Sequence, residues 1–221
     1  KKVDEAALKR LVDFQIEEGI HGLIPLGSTG EFLSVTPDER RQIVEIVVKQ
    51  AAARVPVLIG TGAEWTDEVV RTSREAESMG ADGVMIIPSY SAACSAAATA
   101  NVDMMPELIA RLAQIPNCQY VKESTLDPTR VRDIIRLAGD RMTVFAGVLG
   151  YESFWLGAEG WVAVCSNVIP RWSAQLFKLV ADKRDMDAAL ALYKKMTPLL
   201  WWVGGPRYVS GTKACFEMMG M

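Results

Sequence analysis

Histidine is almost absent from this chain of 221 residues, with His21 as its single copy. The four cysteines, Cys94, Cys118, Cys165 and Cys215, form no Cys-x-x-Cys pair. Zinc sites are built mainly from clustered cysteine and histidine ligands, so the sequence predicts no metal site. Scattered cysteines are typical of reduced thiols, and we therefore expect a cytoplasmic protein.

Other features that would assign a class are also missing. The sequence has no apolar stretch long enough to span a bilayer and no visible signal peptide. The net charge is -3 and like charges form no block, so neither nucleic acid nor a membrane is the expected partner. Half of the residues are apolar, which is enough to build a sizeable core, and the length permits one domain over residues 1–221 or at most two small ones.

Short apolar strand segments alternate with segments of helical period. The predicted strands are 22–26, 55–59, 83–87, 120–122, 142–146 and 161–165. The predicted helices are 4–19, 37–53, 66–79, 106–113, 128–138, 151–157, 173–180 and 185–200, followed by a helical C-terminal region. Strands that are apolar on both faces and alternate with helices indicate a parallel sheet covered by helices.

Two architectures fit this alternation, an open doubly wound sheet and a closed (β/α)8 barrel. A barrel has eight strands and typically about 250 residues, so the six predicted strands do not decide between them. The dinucleotide-binding fingerprint is not met, because Trp65 stands where its third glycine belongs.

Lys122 is the strongest candidate for a catalytic residue. It lies in the run 118–124, which the sequence predicts to be a buried strand that ends in a turn. A lysine from which water is excluded has a lowered pKa, and its neutral amine can form a Schiff base with a carbonyl compound. The alternative is an ordinary strand-end lysine that reaches solvent or pairs with Glu123.

Small and polar residues follow each predicted strand, at the edge where parallel α/β proteins bind ligands. The most specific cluster is Gly-Ser-Thr-Gly-Glu at 27–31, where Ser28 and Thr29 add hydroxyls to exposed amides. Such a turn can bind a carboxylate or a phosphate, although it can also be a tight turn capped by its own hydroxyls.

The turn at 27–31 together with Val-Lys-Glu-Ser at 121–124 resembles the dihydrodipicolinate synthase and N-acetylneuraminate lyase family. Supporting matches lie at 86–90, 145–147 and 160–164. The resemblance implies a (β/α)8 barrel, usually a homotetramer. It also implies a lyase of the class I aldolase type that acts on pyruvate or a related 2-keto acid without a metal or organic cofactor.

The resemblance also assigns roles to single residues. It implies that Lys122 forms the Schiff base, that Ser28 joins a hydroxyl proton relay, and that Tyr90 is the relay tyrosine that reaches into a neighbouring subunit's site. The positions that it matches to substrate binding are Ser28, Thr29, Gly147 and Val162.

The sequence departs from the family pattern inside the chain. The family's first strand is missing, the last helices appear truncated, and the family's fifth strand, which carries a catalytic tyrosine, has no counterpart within 90–101. Either residues are missing from the numbered sequence there or the deletion is real. We favour missing residues, because a parallel barrel without an interior strand would expose unpaired backbone edges.

The second substrate is also in question. True dihydrodipicolinate synthases carry an arginine just after that strand, and Thr99 stands in its place. A hydroxyl does not replace a guanidinium as a carboxylate partner. Dihydrodipicolinate synthase stays the first expectation, with 2-keto-3-deoxy sugar acid aldolases or dehydratases and N-acetylneuraminate lyase-like enzymes as alternatives. A catalytically silent relative with a binding or regulatory role is the alternative from another class.

Overall fold

A computed structural model of the chain describes residues 2–88 and 103–221. The helices in these ranges are α1 (Glu5–Glu17), α2 (Pro37–Ala51), α3 (Thr66–Ser78), α4 (Pro106–Leu112), α5 (Thr129–Ala138), α6 (Gly150–Trp155), α7 (Pro170–Ala181), α8 (Met186–Val203) and α9 (Tyr208–Met218). Each predicted helix is present, with ends that differ by up to three residues. Within the described ranges, no helix has both the length and the apolar character needed to cross a membrane.

The start of α2 shows how the sequence fixes a helix end. The Thr36 hydroxyl accepts a hydrogen bond from the Glu39 amide, and the Glu39 carboxylate accepts one from the Thr36 amide. Pro37 occupies the first helical position, where no amide hydrogen is needed. These three residues therefore start α2 where the sequence predicts.

The strands in the described ranges are β1 (Leu58–Gly60), β2 (Gly83–Met85), β3 (Tyr120–Glu123), β4 (Thr143–Ala146) and β5 (Gly160–Trp161). All pairs between them are parallel, in a two-stranded sheet of β1 and β2 and a three-stranded sheet in the order β3, β4, β5. Helices follow these strands along the chain, so the α/β fold class is confirmed.

The predicted first strand, 22–26, is present only as a short extended segment beside β1. Leu23 forms a parallel bridge with Val57, and the amide of Leu58 donates to the carbonyl of Leu23 over 2.9 Å. The amide of Gly60 donates to the carbonyl of Pro25, also over 2.9 Å. The segment therefore extends the sheet of β1 and β2 by one more short extended stretch.

Two strand predictions were wrong. The last strand ends at Trp161 rather than at residue 165, because Val164–Asn167 forms a 3₁₀ helix. β3 is not buried on both faces, since Tyr120 is 64% exposed and Lys122 is also exposed. The physical reason is that Tyr120 and Lys122 lie on the face opposite α5, in an edge strand that has no neighbour on one side within the described residues.

The two faces of β3 and β4 differ in their surroundings. Val144 and Ala146 are buried in the cluster that includes Ile134 of α5. Because side chains alternate along a strand, Lys122 and its register partner Phe145 project to the opposite face. Lys122 therefore points away from the helix layer.

The first helix contacts the segment that follows the last strand. The side-chain amide of Gln15 in α1 donates to the side-chain carbonyl of Asn167 over 2.9 Å. The carboxylate of Glu18, next to α1, pairs with Arg171 of α7. Contacts between α1 and the segment after β5 place the first and last strand-helix units side by side.

Candidate active site

The candidate site lies at the carboxyl ends of the strands. Parallel strands present these ends at one edge, so the segments that follow them share that side of their sheet. Within the described residues, these segments are 27–31, 61–65, 86–88, 124–128, 147–149 and 162–163.

The turn at 27–31 has an unusual backbone. Leu26 and Glu31 both adopt left-handed conformations, with φ values of 61° and 52°. The amide of Glu31 donates to the carbonyl of Ser28 over 3.0 Å and closes the turn. A left-handed leucine costs free energy, and such residues concentrate at functional sites. Ser28 and Thr29 are half-buried in this turn.

Gly60 lets this turn pack against β1. A Cβ atom at Gly60 would lie 2.1 Å from the carbonyl oxygen of Leu26, which is far inside van der Waals contact. The guanidinium of Arg40 in α2 donates to the carbonyl of Gly60 over 2.8 Å. The turn at 27–31 is therefore fixed against the end of β1.

Lys122 combines solvent access with a desolvated amine. Its side chain as a whole is exposed, contrary to the prediction of a buried strand. Burial nevertheless lowers the pKa of Lys122 below its ordinary value. The exposure is that of the whole residue, whereas the pKa depends on the surroundings of Nζ alone. A lowered pKa increases the share of neutral amine near neutral pH.

Of the expected alternative, a strand-end lysine that reaches solvent or pairs with Glu123, the pairing is not formed, whereas the exposure of Lys122 agrees with the other half. The Glu123 carboxylate points to the helix side, accepts a hydrogen bond from the Thr125 amide over 2.6 Å, and lies 3.4 Å from Nε of Arg130. Among the described residues, no carboxylate is within ion-pair distance of the Lys122 amine. Glu123 and Arg130 were missed as candidate residues, although a glutamate directly after the lysine was a visible signal.

Gly147 lies directly against the end of β3. Its amide donates to the carbonyl of Glu123 over 2.7 Å, and its own carbonyl accepts a hydrogen bond from the Trp161 indole over 3.2 Å. A Cβ atom at Gly147 would lie 2.0 Å from Oγ of Ser124. Close approach therefore requires glycine here, next to Lys122.

The other candidate residues that the structure describes follow strands other than β3. Val162 is half-buried and follows β5, where its amide donates to the carbonyl of Ala146 over 2.9 Å. Ser28 and Thr29 belong to the sheet of β1 and β2, across the unpaired junction from Lys122. Tyr90 and the expected gap within 90–101 lie outside the described residues.

No metal site competes with this interpretation in the part of the chain that the structure describes. There, no group of three or more histidine, cysteine, aspartate or glutamate side chains is arranged to hold an ion. The arrangement offers instead an amine of lowered pKa, a turn with half-buried hydroxyls and a glycine packed against the strand that carries the amine.

Comparisons with known proteins agree with this geometry. 4-Hydroxy-tetrahydrodipicolinate synthase from Syntrophobacter fumaroxidans is 32% identical over 243 aligned positions, which cover 99% of this chain and 83% of that protein. The structure of dihydrodipicolinate synthase from Aquifex aeolicus superposes with a TM-score of 0.90 at 26% identity, over 99% of this chain and 83% of that one. The synthase from Acinetobacter baumannii complexed with pyruvate gives 0.92 at 26% identity, with the same coverage.

The model of the Dihydrodipicolinate synthetase family matches residues 1–100 and 95–221. These two stretches span the whole sequence, including the turn at 27–31 and Lys122. The chain therefore belongs to the dihydrodipicolinate synthetase family.

Proposed function

We propose that this protein is a Schiff-base-forming lyase that condenses pyruvate, or a related 2-keto acid, with an aldehyde in the manner of dihydrodipicolinate synthase. The observation that carries the proposal is the amine of Lys122, which has a lowered pKa and lies at the carboxyl end of a parallel strand beside Gly147. Relatives that are 32% identical to this chain are named 4-hydroxy-tetrahydrodipicolinate synthase, and one structural neighbour was solved with pyruvate.

The proposed chemistry begins with attack of the neutral Lys122 amine on the keto carbon. A C–N bond forms, the keto oxygen leaves as water, and an iminium ion results. The iminium withdraws electrons, so a proton leaves the methyl group of pyruvate and an enamine forms. The enamine carbon then attacks the carbonyl carbon of the aldehyde, and hydrolysis of the new iminium releases the product and the free amine.

The substrate carboxylate is assigned to the turn at 27–31. Ser28 and Thr29 supply hydroxyls and backbone amides in a closed turn, which suits a carboxylate. In this proposal, the Ser28 hydroxyl also joins Tyr90 in a proton relay, since the proton transfers need a positioned acid or base. Gly147 and Val162 line the space around the iminium, and no cofactor takes part.

The same proposal includes a single (β/α)8 barrel domain with a gap or deletion within 90–101. Two observations support the gap. The two stretches matched by the family model overlap at residues 95–100, and the alignment to the Syntrophobacter fumaroxidans protein runs over 243 positions although this chain has 221 residues. Peptide mapping of the expressed protein across 85–105 tests this directly, because peptides that do not fit the numbered sequence would reveal missing residues.

We further propose a cytoplasmic homo-oligomer, either a tetramer or a dimer. Large apolar side chains are exposed on the described surface, including Trp155, Trp201 and Met218, and a second copy would cover them. Sedimentation of the purified protein tests this, since a monomer at micromolar concentration would contradict it.

The aldehyde partner is tested by a substrate panel. Aspartate semialdehyde is the first expectation, and 2-keto-3-deoxy sugar acids and N-acetylneuraminate represent the alternatives. Turnover of aspartate semialdehyde with pyruvate, but not of the sugar acids, supports the synthase assignment; the reverse result supports a sugar acid aldolase or dehydratase.

Imine formation itself is tested by incubation with pyruvate and borohydride, followed by peptide mass spectrometry. We expect a reduced pyruvate adduct on the peptide that contains Lys122, and no adduct in Lys122→Met. An unmodified Lys122 in the wild-type protein would favour a catalytically silent relative.

A further inference from the structure

Arg130 is the second residue of α5, the helix that packs beneath β3 and β4. The residues that follow it on the buried face, Val131 and Ile134, are fully buried in the cluster that also contains Val144. The base of the Arg130 side chain is therefore fixed, and only 12% of the side chain is exposed. A buried guanidinium in such a position needs partners for its charge and its donors.

The guanidinium group of Arg130 contacts three residues in two separate parts of the chain. Nη1 donates to Oδ1 of Asp103 over 2.7 Å, and Nη2 donates to the backbone carbonyl of Met104 over 2.6 Å. Nε lies 3.4 Å from Oε2 of Glu123 in an ion pair, although it makes no hydrogen bond. Arg130 thus joins α5, the segment before α4 and the end of β3.

Glu123 is held from its other side as well. Its Oε1 accepts a hydrogen bond from the Thr125 amide, and its backbone carbonyl accepts one from the amide of Gly147. Because Glu123 directly follows Lys122, its position fixes the backbone from which the lysine side chain projects. Only 8% of the Glu123 side chain is exposed, so water cannot replace Arg130 as its partner.

We propose that Arg130 is a positioning residue for Lys122: through Glu123, Asp103 and Met104 it sets the end of β3 in the orientation that presents the amine to the keto carbon. This inference rests on the proposed function. Arg130 contacts Glu123, Asp103 and Met104 rather than the Lys122 amine. The charged groups packed against this end of β3 in the described chain are Glu123, Arg130 and Asp103, and the segments 143–146 and 160–161 contribute none.

The test compares wild type, Arg130→Met, the double variant Arg130→Met/Glu123→Gln, and Arg54→Met. The double variant keeps an oxygen acceptor for the Thr125 amide but removes both buried charges, so it recovers folding stability relative to Arg130→Met. Arg54 is the matched control, because it also joins a carboxylate, that of Asp13, to a backbone carbonyl, that of Gln50. It precedes β1 and therefore lies at the edge opposite the site.

The readouts are the thermal unfolding midpoint and the rate of borohydride trapping as a function of pyruvate concentration. We expect both Arg130 variants to lose roughly ten- to a hundredfold in maximal trapping rate, because small misplacements of a reacting group have effects of this size. We expect their half-saturating pyruvate concentration to stay within about threefold of wild type, because the turn at 27–31, to which the substrate carboxylate is assigned, belongs to the other sheet.

The decisive comparison is the double variant. If its trapping rate stays low while its unfolding midpoint recovers, Arg130 acts by positioning. If the rate returns to that of wild type with the stability, or if Arg130→Met traps as fast as Arg54→Met, the inference is overturned. If the wild-type protein itself takes no adduct, the proposed function fails, and the inference falls with it.

Discussion

The amide of Gly147 donates a hydrogen bond of 2.7 Å to the carbonyl of Glu123, the residue that follows Lys122. This bond continues the parallel pairing of β3 with β4 by one residue beyond the strands. It brings the glycine turn after β4 against the lysine-bearing strand, where a side chain at position 147 would overlap Ser124.

Gly147→Ala should disrupt this contact. Its Cβ atom would lie 2.0 Å from Oγ of Ser124 and 2.8 Å from the carbonyl oxygen of Glu123. We expect a loss of about 1–3 kcal/mol in unfolding free energy and at least a tenfold loss of imine trapping. Urea denaturation and borohydride trapping measure the two effects.

Gly83→Ala is the matched control for that variant. Gly83 lies in β2, and a Cβ atom there would make only ordinary contacts with Leu58, at 3.6 Å and beyond. We expect near-wild-type stability and trapping. Equal losses in both variants would show that Gly147 has no special place at the site.

Lys122→Met should stabilise the fold at neutral pH. Burial lowers the pKa of Lys122 in the folded protein, whereas the unfolded chain has the ordinary value near 10.5. Between these two values the unfolded chain binds the proton and the folded protein does not, so wild-type stability rises with pH. The advantage of Lys122→Met is therefore full below the folded pKa and disappears as pH rises to about 10.5.

Thermal unfolding of both proteins from pH 6 to pH 10 measures this difference. Lys122→Arg serves as the control, because arginine stays charged over the whole range and should bring no such convergence. A constant difference between wild type and Lys122→Met across the range would contradict the desolvated amine.

Cys165 should be unreactive in the folded protein. It is buried, and burial raises the pKa of its thiol to about 11. Alkylation requires the thiolate, so at pH 8 iodoacetamide should modify the half-buried Cys118 and Cys215 first. Mass spectrometry after labelling with and without urea measures this, and modification of Cys165 at the same rate in both conditions would contradict the described core.

Ile134→Ala should weaken the support beneath β3. Ile134 is fully buried between α5 and the strands, so the truncation should cost about 2–5 kcal/mol of unfolding free energy. Arg132 lies on the same helix but is exposed and pairs with its neighbour Asp133, so Arg132→Ala should change stability by less than about 0.5 kcal/mol. Urea denaturation of both variants is the measurement, and similar midpoints would place α5 outside the core.

Local signals predicted the helices well. The capping box of Thr36 and Glu39 fixes the start of α2 with short-range contacts alone, which sequence reasoning can recognise. The sequence motifs at 27–31 and 121–124 likewise indicate the family without any knowledge of the geometry.

Features that depend on distant partners could not be predicted in the same way. An apolar run looks the same in a central strand and in one that lacks a neighbour, so the exposure of β3 depends on pairing that the run itself does not encode. The role of Arg130 depends on Asp103 and Glu123, which are 27 and 7 positions away. Arg130 contacts these two residues only in the folded chain. The length of β5 could not be predicted for a similar reason. Val164 and Cys165 are apolar enough for a strand, yet they form part of a 3₁₀ helix.

The most direct test of the central claim is a crystal structure of the protein after reduction with borohydride in the presence of pyruvate. The account predicts continuous density from Nζ of Lys122 to the former keto carbon, with the carboxylate bound at Ser28 and Thr29. Density for an unmodified Lys122, or an adduct on another lysine, would contradict it.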